Sequence, residues 1–225
     1  MAIKRYYAKS DNTITNAFEE NLSLRGTGSN MGAADILEVF SIYGQASSAS
    51  AEKSRVLIKF DCTASTNSIQ ADRTSGDLPA SGSVSFYLRL YNAKHGQTLP
   101  KSYTMDVSAI SGSWTEGTGL DMELYKDKGE SNWVNRVASS SAGTHAWSST
   151  GGDYFTDTSS SFSASFDSGV EDIELDITTL VEQWCSSSAN SKTPTDMGLK
   201  EDEGLIIKLS SAYEGAARSY YTKKF

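Results

Sequence analysis

The sequence predicts an all-β fold: an antiparallel two-sheet β-sandwich of jelly-roll type, with one short helix and a long irregular insertion at about 113–154. Apolar and polar residues alternate with a period of two in several segments, which is typical of strands with one buried face. Only one segment has a helical pattern, and the intervening stretches are rich in Ser, Gly and Thr. Many strands joined by turns, with almost no helix, favour a sandwich.

The clearest alternation lies between residues 83 and 91. Leu88 and Leu90 fall on one face there, while Tyr87, Arg89 and Tyr91 fall on the other. The same period of two predicts further strands, at 36–43, 55–62, 103–110, 170–177 and 204–209. Each of these segments has one face for a core and one face for solvent.

One helix is predicted directly after the segment 170–177. Thr179 and Glu182 have the spacing of a capping box, in which a hydroxyl and a carboxylate bind free backbone amides at a helix start. Leu180 and Trp184 then share one face, so we expect a helix of one to two turns that closes at 186–188. The polar stretches 46–51, 138–144 and 156–168 predict loops.

The segment 113–154 has no clean period. It carries Trp114, Trp133 and Trp147 among Gly and charged residues, so we expect a long irregular insertion at one end of the sandwich. Binding surfaces are often built from such loops on a rigid scaffold. No charged or Pro-rich linker divides the chain, which predicts a single domain over 1–225.

Composition narrows the classes of partner. The formal net charge of -8 argues against a nucleic-acid binder, which needs clustered Lys and Arg. No apolar run is long enough to cross a bilayer, and the first residues lack the apolar region of a signal peptide, so neither a membrane partner nor export is expected. Cys62 and Cys185 pair only if the fold brings them together; we expect two free, mostly buried thiols.

Motifs for catalysis are missing from the sequence. It contains no G-x-S-x-G elbow, H-E-x-x-H pair, Walker A loop or C-x-x-C pair, and its two histidines have no neighbours at ligand or triad spacing. We therefore assign no catalytic, cofactor-binding or metal-binding residue and expect no enzymatic activity. Glu116 lies close to Trp114, an arrangement that occurs in some sugar sites but that also fits Trp114 as a loop anchor.

Surface aromatics are the remaining functional signal. Tyr87 and Tyr91 flank Arg89 on the polar face of the clearest strand. Two rings at positions i and i+4 can stack on a sugar or contact a partner protein. Alternatively, a neighbouring loop of the same chain covers this face.

The order of elements resembles that of the DNRLRE domain family, a β-sandwich also grouped with carbohydrate-binding modules. The matching segments span about residues 13–225: the Ser-Asn-Met-Gly run at 29–32, the strands at 54–61 and 83–91, the Ser-Trp-Thr-Glu-Gly run at 113–117, the strand and helix at 175–184, and 198–207. The family's second Trp-Asn-x-x-Pro pattern is missing. The resemblance implies a β-sandwich fold and polysaccharide binding as one activity to be considered.

The first and last segments, 4–18 and 219–225, resemble virion structural proteins of tailed marine phages. This resemblance implies a non-enzymatic virion component (capsid decoration, neck, baseplate or fibre) that is made in the host bacterial cytoplasm. Its partners would be other virion proteins, in a homo-oligomer or symmetric assembly. The candidate interface anchors are Tyr6, Tyr7, Tyr87, Arg89, Tyr91, Trp133, Tyr220 and Tyr221.

The alternative function is polysaccharide binding by ring stacking, with Trp114, Trp133, Trp147 and Glu116 as candidates. A further expectation concerns the end of the sheet. DNRLRE domains continue with an extra strand after the segment that matches 220–225, so we expect that a neighbouring subunit, or more of the same polypeptide, supplies a final strand to an open edge.

Overall fold

The structure is a computed structural model that describes residues 3–96, 99–120, 124–139, 141–186, 199–217 and 220–225. The described residues form eleven strands and two helices. In chain order these are β1 (Ser10–Thr15), β2 (Glu38–Tyr43), β3 (Ala51–Lys59), α1 (Ile69–Ser75), β4 (Tyr87–Leu90), β5 (Tyr103–Ala109), β6 (Asn135–Ser139), β7 (Gly143–Ala146), β8 (Ser161–Phe166), β9 (Ile173–Asp176), α2 (Thr178–Ser186), β10 (Leu205–Leu209) and β11 (Tyr220–Lys224).

Seven of these strands form one antiparallel sheet, the main sheet. Its order is β11-β2-β3-β10-β5-β8, and β1 also pairs with β3. The central strand β10 is buried along its whole length, and its one charged residue, Lys208, pairs with Asp106 at 2.9 Å. β11 stands at one end of this order, and Lys224 O also accepts a hydrogen bond from Ala93 N at 2.9 Å.

A smaller layer covers one face of the main sheet. It consists of the two-stranded sheet β4–β9 together with α2. Leu88 of β4, Ile173 of β9 and Trp184 of α2 are buried in one cluster with Val107 and Ile207 of the main sheet. The predicted all-β antiparallel sandwich is therefore confirmed.

The insertion covers the opposite face of the main sheet. Trp133 and Trp147 form a second buried cluster with Ile14, Leu57 and Ile206, which lie on β1, β3 and β10. The placement of 113–154 at one end of the sandwich was therefore wrong. The segment is also less irregular than predicted, because β6 and β7 form a hairpin within it.

The predicted loop at 156–168 is wrong, since β8 occupies Ser161–Phe166. Ser163 and Ser165 are exposed, whereas Ala164 and Phe166 are buried against the core. The period of two is thus present, but serine on every outward position resembles loop composition.

The structure adds a helix that sequence periodicity did not reveal. α1 has only seven residues; the Ser68 side chain caps its start by accepting from Ala71 N at 3.0 Å, and Gly76 ends it in the left-handed conformation. The predicted helix is confirmed as α2, although it begins at Thr178. Glu182 binds Arg73 of α1 at 2.6 Å, so this side chain joins the two helices.

Candidate functional site

The outer face of the small sheet carries Tyr87, Arg89 and Tyr91, which we call the tyrosine face. Leu88 and Leu90 are buried beneath it, and this fixes which side chains of β4 point outward. Tyr87 is 58% exposed and Tyr91 59% exposed. The alternative in which a loop of the same chain covers this face is therefore wrong for the described residues.

Arg89 lies between the two tyrosines and contacts one of the rings. Its Nε lies 3.4 Å from Oε2 of Glu174, the residue opposite it on β9, and its guanidinium lies 5.3 Å from the centre of the Tyr91 ring. Both contacts restrict the Arg89 side chain. A single ion pair in solvent contributes little to stability, so neither contact fixes the side chain alone.

Carboxylates of β9 and the turn before it form an acidic row beside the tyrosine face. Asp176 stands opposite Tyr87 across the two strands. Hydrogen bonds from the Thr178 side chain and backbone lower the pKa of Asp176. Asp172 accepts from Asn92 N at 2.8 Å. The surface therefore combines two open rings and one paired cation with negative charge.

The four terminal tyrosines have different environments. Tyr7 is 79% exposed and Tyr220 is 43% exposed, so both rings are available for contacts. The Tyr6 hydroxyl donates to Asp72 of α1, and burial followed by this hydrogen bond raises the pKa of Tyr6. Tyr221 packs against the rings of Tyr103 and Tyr213 at centroid distances of 5.7 and 5.1 Å. Tyr6 and Tyr221 thus contribute to contacts within the chain.

Two of the predicted stacking residues are buried. Trp133 is 7% exposed and Trp147 is 4% exposed. Trp147 Nε1 donates to Asn132 O at 2.9 Å, and the Arg55 guanidinium lies 5.0 Å from the Trp133 ring. A sugar needs an open ring face, so the prediction of stacking on Trp133 and Trp147 is wrong, as is Trp133 as a surface anchor.

Trp114 and Glu116 have structural partners. Trp114 is half-buried, packs against the second buried cluster and donates from Nε1 to Glu203 O at 2.9 Å. Glu116 Oε1 accepts from Asp11 N at 2.7 Å, which holds the insertion to β1. Burial, and then the Glu116 charge, raise the pKa of Asp11. These contacts favour the interpretation of Trp114 as a loop anchor.

The structure brings together two of the short runs that carry the sequence resemblance. Asn30 Nδ2 donates to Glu116 O at 2.6 Å and to Ser131 O at 3.0 Å. A Cβ on Gly32 would lie 2.2 Å from Glu116 O, so a larger residue does not fit there. The runs at 29–32 and 113–117 therefore close the insertion onto the sheet, which is a structural role.

The remaining candidates for chemistry are the two cysteines and any cluster of metal-binding side chains. Cys62 and Cys185 are buried and form no disulfide, and burial raises the pKa of both thiols, that of Cys185 to about 11. In the described ranges no three His, Cys, Asp or Glu side chains are grouped as metal ligands require. Among the helices described, none has the length and apolar character to cross a membrane.

One feature of the structure was missed by sequence reasoning. A cavity of about 530 Å³ lies beside the start of β3 and is lined by three acidic residues, Glu19, Glu20 and Glu52. Glu52 precedes the segment 55–62 in which the strand was predicted, so the sequence pattern did not place its carboxylate in the sheet. In the structure β3 extends back to Ala51, and Glu52 is buried between the half-buried Ala51 and Lys53.

Comparisons of the chain with models of known protein families, with curated proteins and with solved structures find no match.

Proposed function

We propose that the chain is a non-enzymatic structural component of a phage virion, held in place by protein–protein contacts, and that the tyrosine face is one of its contact surfaces. The observation that carries the contact surface is the exposure of Tyr87 and Tyr91 on either side of the partnered Arg89. Tyrosine and arginine are enriched among the residues that dominate binding energy at interfaces. The virion assignment rests on the sequence resemblance of the terminal segments.

The strand that carries the tyrosine face is fixed before any partner binds. β4 is fixed by the burial of Leu88 and Leu90 and by its pairing with β9. Arg89 is held by Glu174 and Tyr91. Because immobilising each flexible side chain on binding costs about 0.5–1.5 kcal/mol, a preorganised surface of this kind loses less free energy on binding.

The charge of this surface indicates which partner fits it. Asp172, Glu174 and Asp176 lie beside the rings; Arg89 pairs with Glu174, and the buried Lys223 interacts with the charge of Asp172. A partner surface with Lys or Arg around an aromatic or apolar centre complements this pattern. A stable contact needs about 800 Å² from each partner, so the interface extends beyond the three residues of the tyrosine face.

The direct test is mass spectrometry of purified phage particles from the natural source. The chain is expected in intact particles at a fixed copy number relative to the major capsid protein. Its absence from particles, together with its presence in the infected cell, would show that the virion assignment is wrong. Particles assembled with a Tyr87→Ala/Tyr91→Ala chain are expected to lose it, whereas a Leu24→Ala chain, which alters an exposed apolar side chain outside the candidate anchors, is retained.

Polysaccharide binding is a second candidate function, favoured by the same two open rings. Residues i and i+4 of a strand are about 13 Å apart, so Tyr87 and Tyr91 can stack on separated sugar rings of one extended glycan. Arg89 lies between them, where its guanidinium would donate hydrogen bonds to the hydroxyl groups of the glycan. Titration of acidic and neutral polysaccharides, followed by NMR shifts of β4 amides, tests this function, and shifts that persist in Tyr87→Ala/Tyr91→Ala would contradict it.

A further inference from the structure

The acidic cavity beside β3 is distinct from the tyrosine face. Ile42 stands opposite Glu52 across the β2–β3 pair, and both line the cavity together with Phe18 and Phe40. Glu19 and Glu20 complete the charged part of its lining. No Lys, Arg or His occurs among the described residues that line it. Its volume of about 530 Å³ lies in the range of small-molecule sites, and the cleft is broadly open to solvent.

Glu52 is an unusual side chain for such a buried position. It is 2% exposed, and its Oε2 accepts from Phe18 N at 2.8 Å. Its Oε1 is buried and has no hydrogen-bond partner, and no described cation forms an ion pair with it. A buried charge without a partner is costly, whereas the buried Arg55 is fully paired with Glu214.

The cations nearest to this cavity have other partners. Arg25 stacks on the Phe18 ring at 4.1 Å and donates to Asn16 O and Ala51 O. Lys128 binds Glu19 at 2.9 Å and Tyr125 O at 2.8 Å. Hydrogen bonds to carbonyl oxygens do not cancel the charge of Arg25, so Glu19, Glu20 and Glu52 face two neighbouring cations, and the one negative charge in excess would be neutralised by a cation from outside the chain.

We propose that this cavity binds an alkylammonium group. The walls formed by Phe18, Phe40 and Ile42 suit an apolar stem, and the carboxylates suit a compact ammonium head with three donors. The head enters between the rim carboxylates and reaches Glu52 when its carboxylate rotates about the terminal torsion, which is a soft degree of freedom. This site depends on neither the tyrosine face nor the virion assignment.

The test is an NMR titration of the whole chain with n-butylammonium chloride at constant ionic strength, with n-butanol as the uncharged counterpart. Butylammonium is expected to shift the amide signals of Phe18, Ile42 and Glu52, and butanol is expected to leave them unchanged. Equal shifts with both compounds would reduce the site to an apolar cavity. The absence of shifts with butylammonium would also overturn the proposal.

Variants test the role of charge. In Glu52→Gln the dissociation constant of butylammonium is expected to rise about tenfold, the loss of one charge-assisted contact of about 1.4 kcal/mol. Asp35→Asn, which removes one charge at an exposed position outside the cavity and the tyrosine face, is the control for net charge and is expected to bind as the wild type does. An equal loss in both variants would attribute binding to net charge and overturn the site.

A second variant avoids the buried core in case Glu52→Gln does not fold. Glu20 lines the cavity and is exposed, so Glu20→Gln leaves the packing intact. Its dissociation constant is expected to rise about threefold, the loss of a solvated contact. An unchanged affinity in Glu20→Gln, in a folded protein, would contradict the proposed path for the ammonium head.

An ammonium ligand can be a free amine or a lysine of a partner protein. A short peptide with one lysine among glycines, and the same peptide with norleucine, distinguish these sources. Tighter binding of the lysine peptide than of butylammonium identifies a partner's lysine as the occupant, and tighter binding of butylammonium identifies a free amine. Equal binding of both peptides would overturn the proposal, because charge would then make no contribution.

Discussion

Arg55 and Glu214 form a two-point ion pair that joins the main sheet to the segment before its last strand. Nε of Arg55 lies 2.7 Å from Oε1 of Glu214, and Nη2 lies 2.8 Å from Oε2. Nη1 of Arg55 donates to Gly151 O at 2.7 Å. One side chain of β3 therefore connects the insertion, the main sheet and the segment that leads into β11.

Removal of one partner of this pair should destabilise the fold strongly. Both side chains are about nine-tenths buried, so Glu214→Gln leaves the Arg55 charge buried without a counter-charge. We expect the free energy of unfolding in urea to fall by about 3 kcal/mol. Lys9→Ala, which breaks the exposed pair with Asp61, is the control and should leave it unchanged. Equal effects of the two substitutions would contradict this account.

Gly151 is expected to be required beside this ion pair. Its φ is +90°, and a Cβ there would lie 2.8 Å from Nη1 of Arg55 and 2.9 Å from the Trp133 ring. Gly76 has a similar φ of +85° but no atom within 4 Å of the same position. Gly76→Ala should cost about 1 kcal/mol from the backbone alone. Gly151→Ala should cost clearly more in urea unfolding, and equal losses would show that the close contact relaxes freely.

The sequence was sufficient for the fold class because a buried face leaves a period of two in strands such as β4 and β5. It was insufficient where composition masks that period, as with the alternating serines of β8. Burial of Trp133 and Trp147 was unpredictable for a different reason: their partners Ile14, Leu57 and Ile206 are far away in sequence. A Trp-rich segment has the same local sequence pattern whether its rings are exposed on the surface or packed against a sheet.

The candidate site was predictable in part. Alternation places Tyr87, Arg89 and Tyr91 on one face, but their exposure depends on whether another element of the chain covers that face. The acidic cavity was out of reach, because Glu52 meets Phe18 only through the fold of a loop 34 residues earlier. Whether a charge is buried and which charges lie near it are properties of three-dimensional contacts, so local sequence does not reveal them.

Substitution of a buried tyrosine should lower the free energy of unfolding much more than substitution of an exposed one. Tyr103 is 1% exposed and stacks on Phe166 at 4.9 Å, so Tyr103→Ala should lower the free energy of unfolding by about 3 kcal/mol. Tyr87→Ala removes an exposed ring and should change it by less than about 0.5 kcal/mol. Urea unfolding measures both values. A large loss in Tyr87→Ala would mean that the tyrosine face is part of the core and would remove it as a contact surface.

Lys223 is a buried cation on the last strand of the main sheet. It donates from Nζ to Asn92 Oδ1 at 2.5 Å, to Glu171 O at 2.6 Å and to Gly169 O at 3.2 Å. Burial lowers the pKa of Lys223 to about 8, and the charges of Glu171 and Asp172 partly oppose this shift. The folded protein therefore releases this proton at a lower pH than the unfolded chain does.

Lys223 should make unfolding depend on pH in the alkaline range. Between the folded pKa of about 8 and the ordinary value of 10.5, the unfolded chain binds more protons at this position, so its contribution to stability rises with pH. Tyr6 and Tyr103, whose pKa values are raised mainly by burial, act in the opposite direction at higher pH. The measurement is therefore the difference in free energy of unfolding between the wild type and Lys223→Met at a series of pH values. The difference should shift in favour of the wild type as the pH increases from 8 to 10; a flat difference would show that Lys223 keeps its ordinary pKa in the fold.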